Sequence, residues 1–167
     1  PTGLSQPLDF LPDAVYAPGC DDRGDTTDAL LEEAKKAAQQ VEIAVVFAGL
    51  PDHYESEGFD RNDMKMPAGH LRMIEAVASA NSNTIVVLLC GSAVECPWAD
   101  RVKAVLYMGL PGQAGGEAIA ELLYGRINPS GKLAESWPIA YGDVPSSEIY
   151  GKTADALYQE GVYVGYR

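Results

Sequence analysis

The chain reads as an α/β domain: an open, mainly parallel β-sheet flanked by helices on both faces, a three-layer sandwich. Three observations point there. Short apolar runs at residues 43–48 and 84–89 are continuous rather than alternating, the pattern of strands buried on both faces, and a further strand reads at 103–107. Segments with apolar residues at helical spacing separate them. The connections are short, as right-handed βαβ units require.

In chain order, residues 13–17 predict a short strand stopped by Pro18 and Gly19, and residues 21–25 are polar and turn-like. Asp25, Thr26 and Thr27 offer N-cap oxygens to a helix running to about Gln40. Its apolar positions Leu30, Leu31, Ala34, Ala37, Ala38 and Val41 share one face, while Glu32, Glu33, Lys35 and Lys36 face water. A buried strand follows at 43–48. The next helix, 69–80, carries Leu71, Ile74, Val77 and Ala78 on one side and ends at Asn81-Ser82-Asn83. The strand 84–89 comes next. A third strand, 103–107, leads through Pro111 and Gly112 into a helix at 114–124, stopped by Gly125. From Tyr141 onwards the chain is an irregular tail rich in Pro, Ser, Gly and Tyr, with residues 156–166 suited to an edge hairpin.

At 167 residues the chain suits one domain with a real core. A formal net charge of −12 excludes a nucleic-acid role, because no Lys/Arg cluster is present to neutralise a run of phosphates. Cys20, Cys90 and Cys96 form an odd set without a CxxC pair and read as reduced packing residues. No apolar run approaches the roughly 18 residues of a membrane helix, and no secretory leader is visible, which favours a cytoplasmic address. The chain opens on Pro1-Thr2-Gly3 rather than Met, the mark of processing or of a piece of something longer.

The segment 54–61, directly after the first buried strand, concentrates carboxylates, aromatics and a glycine. Open α/β sheets build their sites beyond the carboxyl ends of the strands. A glycosidase acid must donate a proton near neutral pH, so its carboxyl has to be held protonated. For Glu57 the neighbouring Glu55 and Asp60 would supply like-charge repulsion. Tyr54 or Phe59 would supply desolvation, and Gly58 a tight backbone turn. Residue types alone fit a solvated acidic loop better, since such loops are common on an acidic protein.

The other site-like segments read as structural. Residues 109–116 are glycine-rich between strand and helix, as a phosphate cradle would be. They match neither GxGxxG nor a P-loop, and Pro111 removes a donor, so helix packing on the sheet is the plainer role. His53 and His70, without a matched ligand set, make no zinc site. His70 reads as structural, and Trp98 and Trp137 as buried anchors. No G-x-S-x-G elbow or Ser-His-Asp arrangement can be assembled.

Taken together, the motifs resemble the second, C-terminal domain of family 3 glycoside hydrolases, the β-glucosidase family. The resemblance runs through Glu55-Ser56-Glu57-Gly58-Phe59-Asp60-Arg61, then Met64, Met66, Pro67, Gly69 and His70. It continues through 83–88, the Gly-Ser-x-Val-Glu-x-Pro-Trp turn at 91–98, and residues 112–116 and 128–133. Its last echoes are Glu160, Gly161 and residues 163–167.

This resemblance implies a hydrolase of terminal non-reducing β-D-glucosyl residues in carbohydrate metabolism, with Glu57 as acid/base and Glu55 as the fallback. His53, Tyr54, Phe59, Asp60 and Arg61 are then candidate sugar contacts, Asp60 and Arg61 more as a charge-assisted pair holding the loop. No metal and no organic cofactor is implied. The partners are a β-glucoside or oligosaccharide and a (β/α)8 barrel domain, which would hold the nucleophile. Residues 1–167 constitute a single, partial domain: the match begins near residues 5–8, so the first strand of the sheet and the barrel are both missing. The isolated chain is accordingly expected to be weakly active or inactive, and an exposed sheet edge invites self-association. Two other readings stand beside this one: a non-catalytic carbohydrate-binding or scaffolding module, and an anion-binding domain using residues 112–116.

Overall fold

The computed structural model describes residues 10–152, 154–155 and 157–165. Helix α1 spans Asp28–Gln39 and strand β1 Ala44–Gly49, followed by α2 (Ala68–Ala80) and β2 (Thr84–Leu89). Strand β3 (Ala104–Tyr107) and helix α3 (Gly115–Leu123) complete the regular elements. The strands form a three-stranded parallel sheet in the order β1-β2-β3, with Ala44 opposite Thr84 and Ile85 opposite Ala104.

The ends of α1 and the end of α2 have local causes. The Thr27 hydroxyl accepts from Leu30 N at 3.3 Å and caps α1. At the other end, Asn81 Nδ2 donates to Ala38 O at 2.8 Å and Val41 O at 3.0 Å. One amide thus closes α1 and ties it to the end of α2. Thr84, fully buried at the start of β2, donates its hydroxyl to Asn81 O at 2.7 Å. That bond explains a polar residue in the core, since an unpaired buried hydroxyl would be costly.

The main core lies between the sheet and the α1–α2 layer. Val46, Val86 and Leu88 point into it from the strands and meet Ala34, Ala38, Met73, Ile74 and Val77 from the helices. By strand alternation Val87 faces the other way, and it too is fully buried, as are Ile119 and Ala120 of α3. Burial on both faces is why β2 shows no alternation. At the carboxyl ends the strands approach closely: a side chain on Gly49 would collide with Leu89 O. His70, near the start of α2, places Nδ1 3.0 Å from Gly49 O, holding the exit of β1 against the helix layer.

Two sequence expectations are corrected. Residues 13–17 form no strand. Asp13 lies in a turn, and residues 14–17 line a groove of about 180 Å³ together with β1 residues, with Val15 and Tyr16 exposed. Among the described residues nothing pairs with the outer edge of β1. For the hairpin expected at 156–166, Ala156 and Tyr166 lie outside the described residues. Between them Gly161–Tyr163 is a 3₁₀ turn, and Gly165 O accepts from Ser136 N at 3.4 Å.

Trp98 is 2% exposed and its indole Nε1 has no partner among the described residues. The side chain therefore acts through packing. Trp98→Ala is expected to cost about 3–5 kcal/mol and Trp98→Phe distinctly less, since Phe removes the unpaired N–H; urea unfolding measures both. Burial, the largest influence on it, lowers the pKa of His70 below 6.5. The unfolded chain then binds that proton more readily. The contribution of His70 is present above the ordinary histidine range and is lost as pH falls below it. Parent protein should lose more stability than His70→Asn between pH 7.5 and 5.5, read from urea midpoints at each pH.

Candidate active site

Strand β1 ends at Gly49, and Leu50 N still donates to Leu89 O at 3.1 Å. Pro51 then starts a turn, its carbonyl accepting from Tyr54 N at 2.7 Å and Glu55 N at 3.1 Å. Beyond it the chain makes a narrow excursion. Ser56 and Phe59 bridge in antiparallel fashion, which sets Glu57 and Gly58 at the tip. Glu57 is exposed and holds no partner among the described residues. An acidic side chain presented this way is free to meet whatever covers the turn.

The feet of the excursion are attached. Glu55 Oε2 accepts from Gly91 N at 2.7 Å, and its Oε1 accepts from the Ser92 hydroxyl at 3.1 Å. Arg61 Nη1 donates to Ser92 Oγ at 2.8 Å and to Ala93 O at 3.1 Å. Arg61 Nη2 is buried and unpartnered among the described residues. The pair expected between Asp60 and Arg61 does not form; Arg61 turns to the segment after β2 instead, and Asp60 remains exposed. The Ser92 hydroxyl and the Ala93 carbonyl supply Arg61 with acceptors in place of its neighbour.

The excursion borders a cleft of about 1090 Å³, lined by Glu55, Ser56, Phe59, Asp60 and Arg61 on one side and by Tyr141, Tyr150 and Tyr163 of the tail on the other. His53 and Tyr54 are not among its lining residues; their rings meet edge to face at 4.8 Å. The aromatic cover expected over Glu57 is not supplied by these residues: Phe59 is 48% exposed and Tyr54 packs on His53. Nor is Gly58 held in a conformation that needs glycine, since its φ is not positive and a Cβ there would meet nothing within 4 Å.

Residues 91–98, noted in the sequence only as a motif match, turn out to be the site's foundation. Val94 and Trp98 are buried, and Glu95 N donates to Met64 O at 2.8 Å. Trp137 is half-buried and donates its indole N–H to Val94 O at 2.7 Å, while its ring meets Tyr107 at 5.0 Å. Tyr141 N donates to a Glu95 carboxylate oxygen at 3.2 Å. The polar donors and acceptors of 91–95 were the available signal; their partners are too distant in sequence to be guessed.

The remaining candidates stay structural. At the glycine-rich segment Gly115 N donates to Gly112 O at 3.3 Å, and Pro111 lies where a Gly115 side chain would go. The glycine thus packs on its own loop rather than on the sheet. All three cysteines are free; burial pushes the Cys90 thiol up to about 12 and those of Cys20 and Cys96 up to about 11. Thiols so held are poor nucleophiles. Among the described residues no group of three or more His, Cys, Asp and Glu side chains gathers as a metal site would.

Comparison with known proteins bears on this geometry. Residues 2–166 match the model of the glycosyl hydrolase family 3 C-terminal domain. The thermostable β-glucosidase B of Acetivibrio thermocellus is 53% identical over 155 residues, covering 92% of this chain and 20% of that protein. An exo-α-(1→6)-L-arabinopyranosidase of Bifidobacterium breve is 42% identical, covering 100% of the chain and 23% of that protein. Among solved structures, a family 3 β-glucosidase of Bifidobacterium adolescentis superposes with a TM-score of 0.83 at 38% identity, covering 97% of this chain and 24% of its own. The chain thus spans about one fifth of the length of the curated relatives it matches. With a family match from residue 2 to 166 and a shared parallel-sheet architecture, this chain belongs to the C-terminal domain family of the family 3 glycosyl hydrolases.

Proposed function

We propose that this chain is the acid/base-bearing domain of a retaining β-glucosidase-like hydrolase, and that Glu57 is the acid/base. The observation that carries the reading is the tip position of Glu57, exposed on a turn fastened at both feet beyond the carboxyl end of a parallel strand. A group that must meet a sugar bound between two domains has to project in this way. It gains the desolvation it needs only when the second domain covers it.

A retaining glycosidase uses two carboxyl groups about 5–5.5 Å apart. One forms a covalent bond to the sugar. The other, here Glu57, protonates the departing oxygen. Its carboxylate then takes a proton from the water that attacks the glycosyl-enzyme. The nucleophile belongs to the barrel domain, so the site is assembled between the two. Phe59, Asp60 and Arg61 line the cleft beside the turn and are the sugar or aglycone contacts of this reading. Tyr54 and His53, set off from the cleft, would contact substrate only at its mouth.

The 167-residue chain alone should therefore show no turnover of an aryl β-glucoside; turnover by pure material would refute the two-domain site. With this domain in place of its counterpart in the A. thermocellus enzyme, Glu57→Gln should slow hydrolysis of an alkyl β-glucoside by about 10²–10⁴-fold. An aryl glucoside with a good leaving group should be slowed far less, and azide should restore part of the rate. Because one relative is an arabinopyranosidase, aryl glucoside and aryl arabinopyranoside are assayed together. Binding of glucose without turnover in the assembled protein would instead identify a carbohydrate-binding module.

A further inference from the structure

We propose that Glu55 and Arg61 are positioning residues that pin both feet of the Glu57 turn to residues 91–93 and so set where its carboxyl sits. The inference rests on the acid/base reading of Glu57 and adds to it the device that aims that side chain. The two feet flank the turn and converge on one hydroxyl. Arg61 Nη1 donates to Ser92 Oγ at 2.8 Å, and Ser92 donates onward to Glu55 Oε1 at 3.1 Å. The guanidinium and the carboxylate are thus joined through a hydroxyl that both orients and is oriented by them. Gly91 N at 2.7 Å and Ala93 O at 3.1 Å complete the attachment.

Three features suit this arrangement to aiming. The anchor is stiff, because Cys90 and Val94 on either side are fully buried. The approach is close, because a side chain on Gly91 would lie 3.1 Å from Glu55 Oε1. The bonds are charge-assisted at both feet, the stronger class of hydrogen bond. Both Glu55 oxygens are engaged by residues 91 and 92, which places this carboxyl beside the acid rather than as the acid. Placement matters because an error of about 1 Å in a reacting group can cost about 10²-fold in rate.

The test has two arms. In the 167-residue chain, hydrogen exchange of the Gly91 amide is followed in parent, Glu55→Gln, Glu55→Ala and Ser92→Ala. Glu55→Ala should lose protection at Gly91, and Glu55→Gln, whose amide oxygen still accepts, should keep most of it. Ser92→Ala, the mildest change, should raise exchange across residues 55–61 with an unchanged urea midpoint. In the chimeric enzyme, Glu55→Ala should lower kcat about 10²-fold with KM little changed. Its pH profile should keep both limbs, azide should not restore it, and Glu55→Gln should recover most of the loss. Unchanged protection at Gly91 in Glu55→Ala would overturn the pin. Azide rescue of Glu55→Ala and Glu55→Gln alike would overturn it too, by making Glu55 the acid/base. If Glu57→Gln shows no leaving-group preference while Glu55→Ala still exposes Gly91, the pin stands and the acid/base reading falls.

Discussion

The burial of Cys90, Val94 and Trp98 within residues 90–98 is the constraint on which the site depends. This stretch leaves β2 at Cys90, stays in the core at Val94 and returns to it at Trp98. Its backbone and short polar side chains remain available in between. Each neighbouring loop then finds a partner on it: Glu55 and Arg61 from the loop after β1, Met64 from the approach to α2, and Trp137 and Tyr141 from the tail. Apolar anchoring sets the position of the segment, and directional bonds transfer that position outward. Neither would suffice alone, since exposed hydrogen bonds contribute little net stability and apolar contacts carry no direction.

Parallel strands bring this stretch and the Glu57 turn together. β1 and β2 are in register from Ala44 opposite Thr84 to Gly49 opposite Leu89, so both chains leave the sheet at one level. Gly49 removes the side chain that would push them apart. The fold therefore delivers two loops to one edge of the molecule, and the chemistry is assigned to whichever residues those loops carry.

Much of the frame was legible in the sequence. The apolar runs placed all three strands to within a residue or so of their ends, and Thr27 and Asn81 marked helix ends through chemistry that acts over a few residues. What failed had a shared cause. Residues 13–17 have strand-like composition, but pairing is a property of the neighbour, and no described residue pairs with them. Asp60 and Arg61 suggested an ion pair by adjacency, whereas Arg61 reaches Ser92, 31 positions away. Glu55 carried a residue type that suits several roles, and its contact with Gly91, 36 positions along the chain, could not be read from the sequence. Local signals announce elements; contacts between elements decide what each side chain does.

The freedom of Gly58, which has open space around it and ordinary backbone angles, bears on how such a domain diversifies. Everything that holds the excursion lies at or outside its feet, and nothing in the core touches its tip. The residues beside Glu57 at this tip can thus change without disturbing the packing beneath, provided the acid itself is kept. A domain built this way separates inheritance of its scaffold from invention at its rim: lineages can retain one sheet while each fits its own tip to a different facing surface.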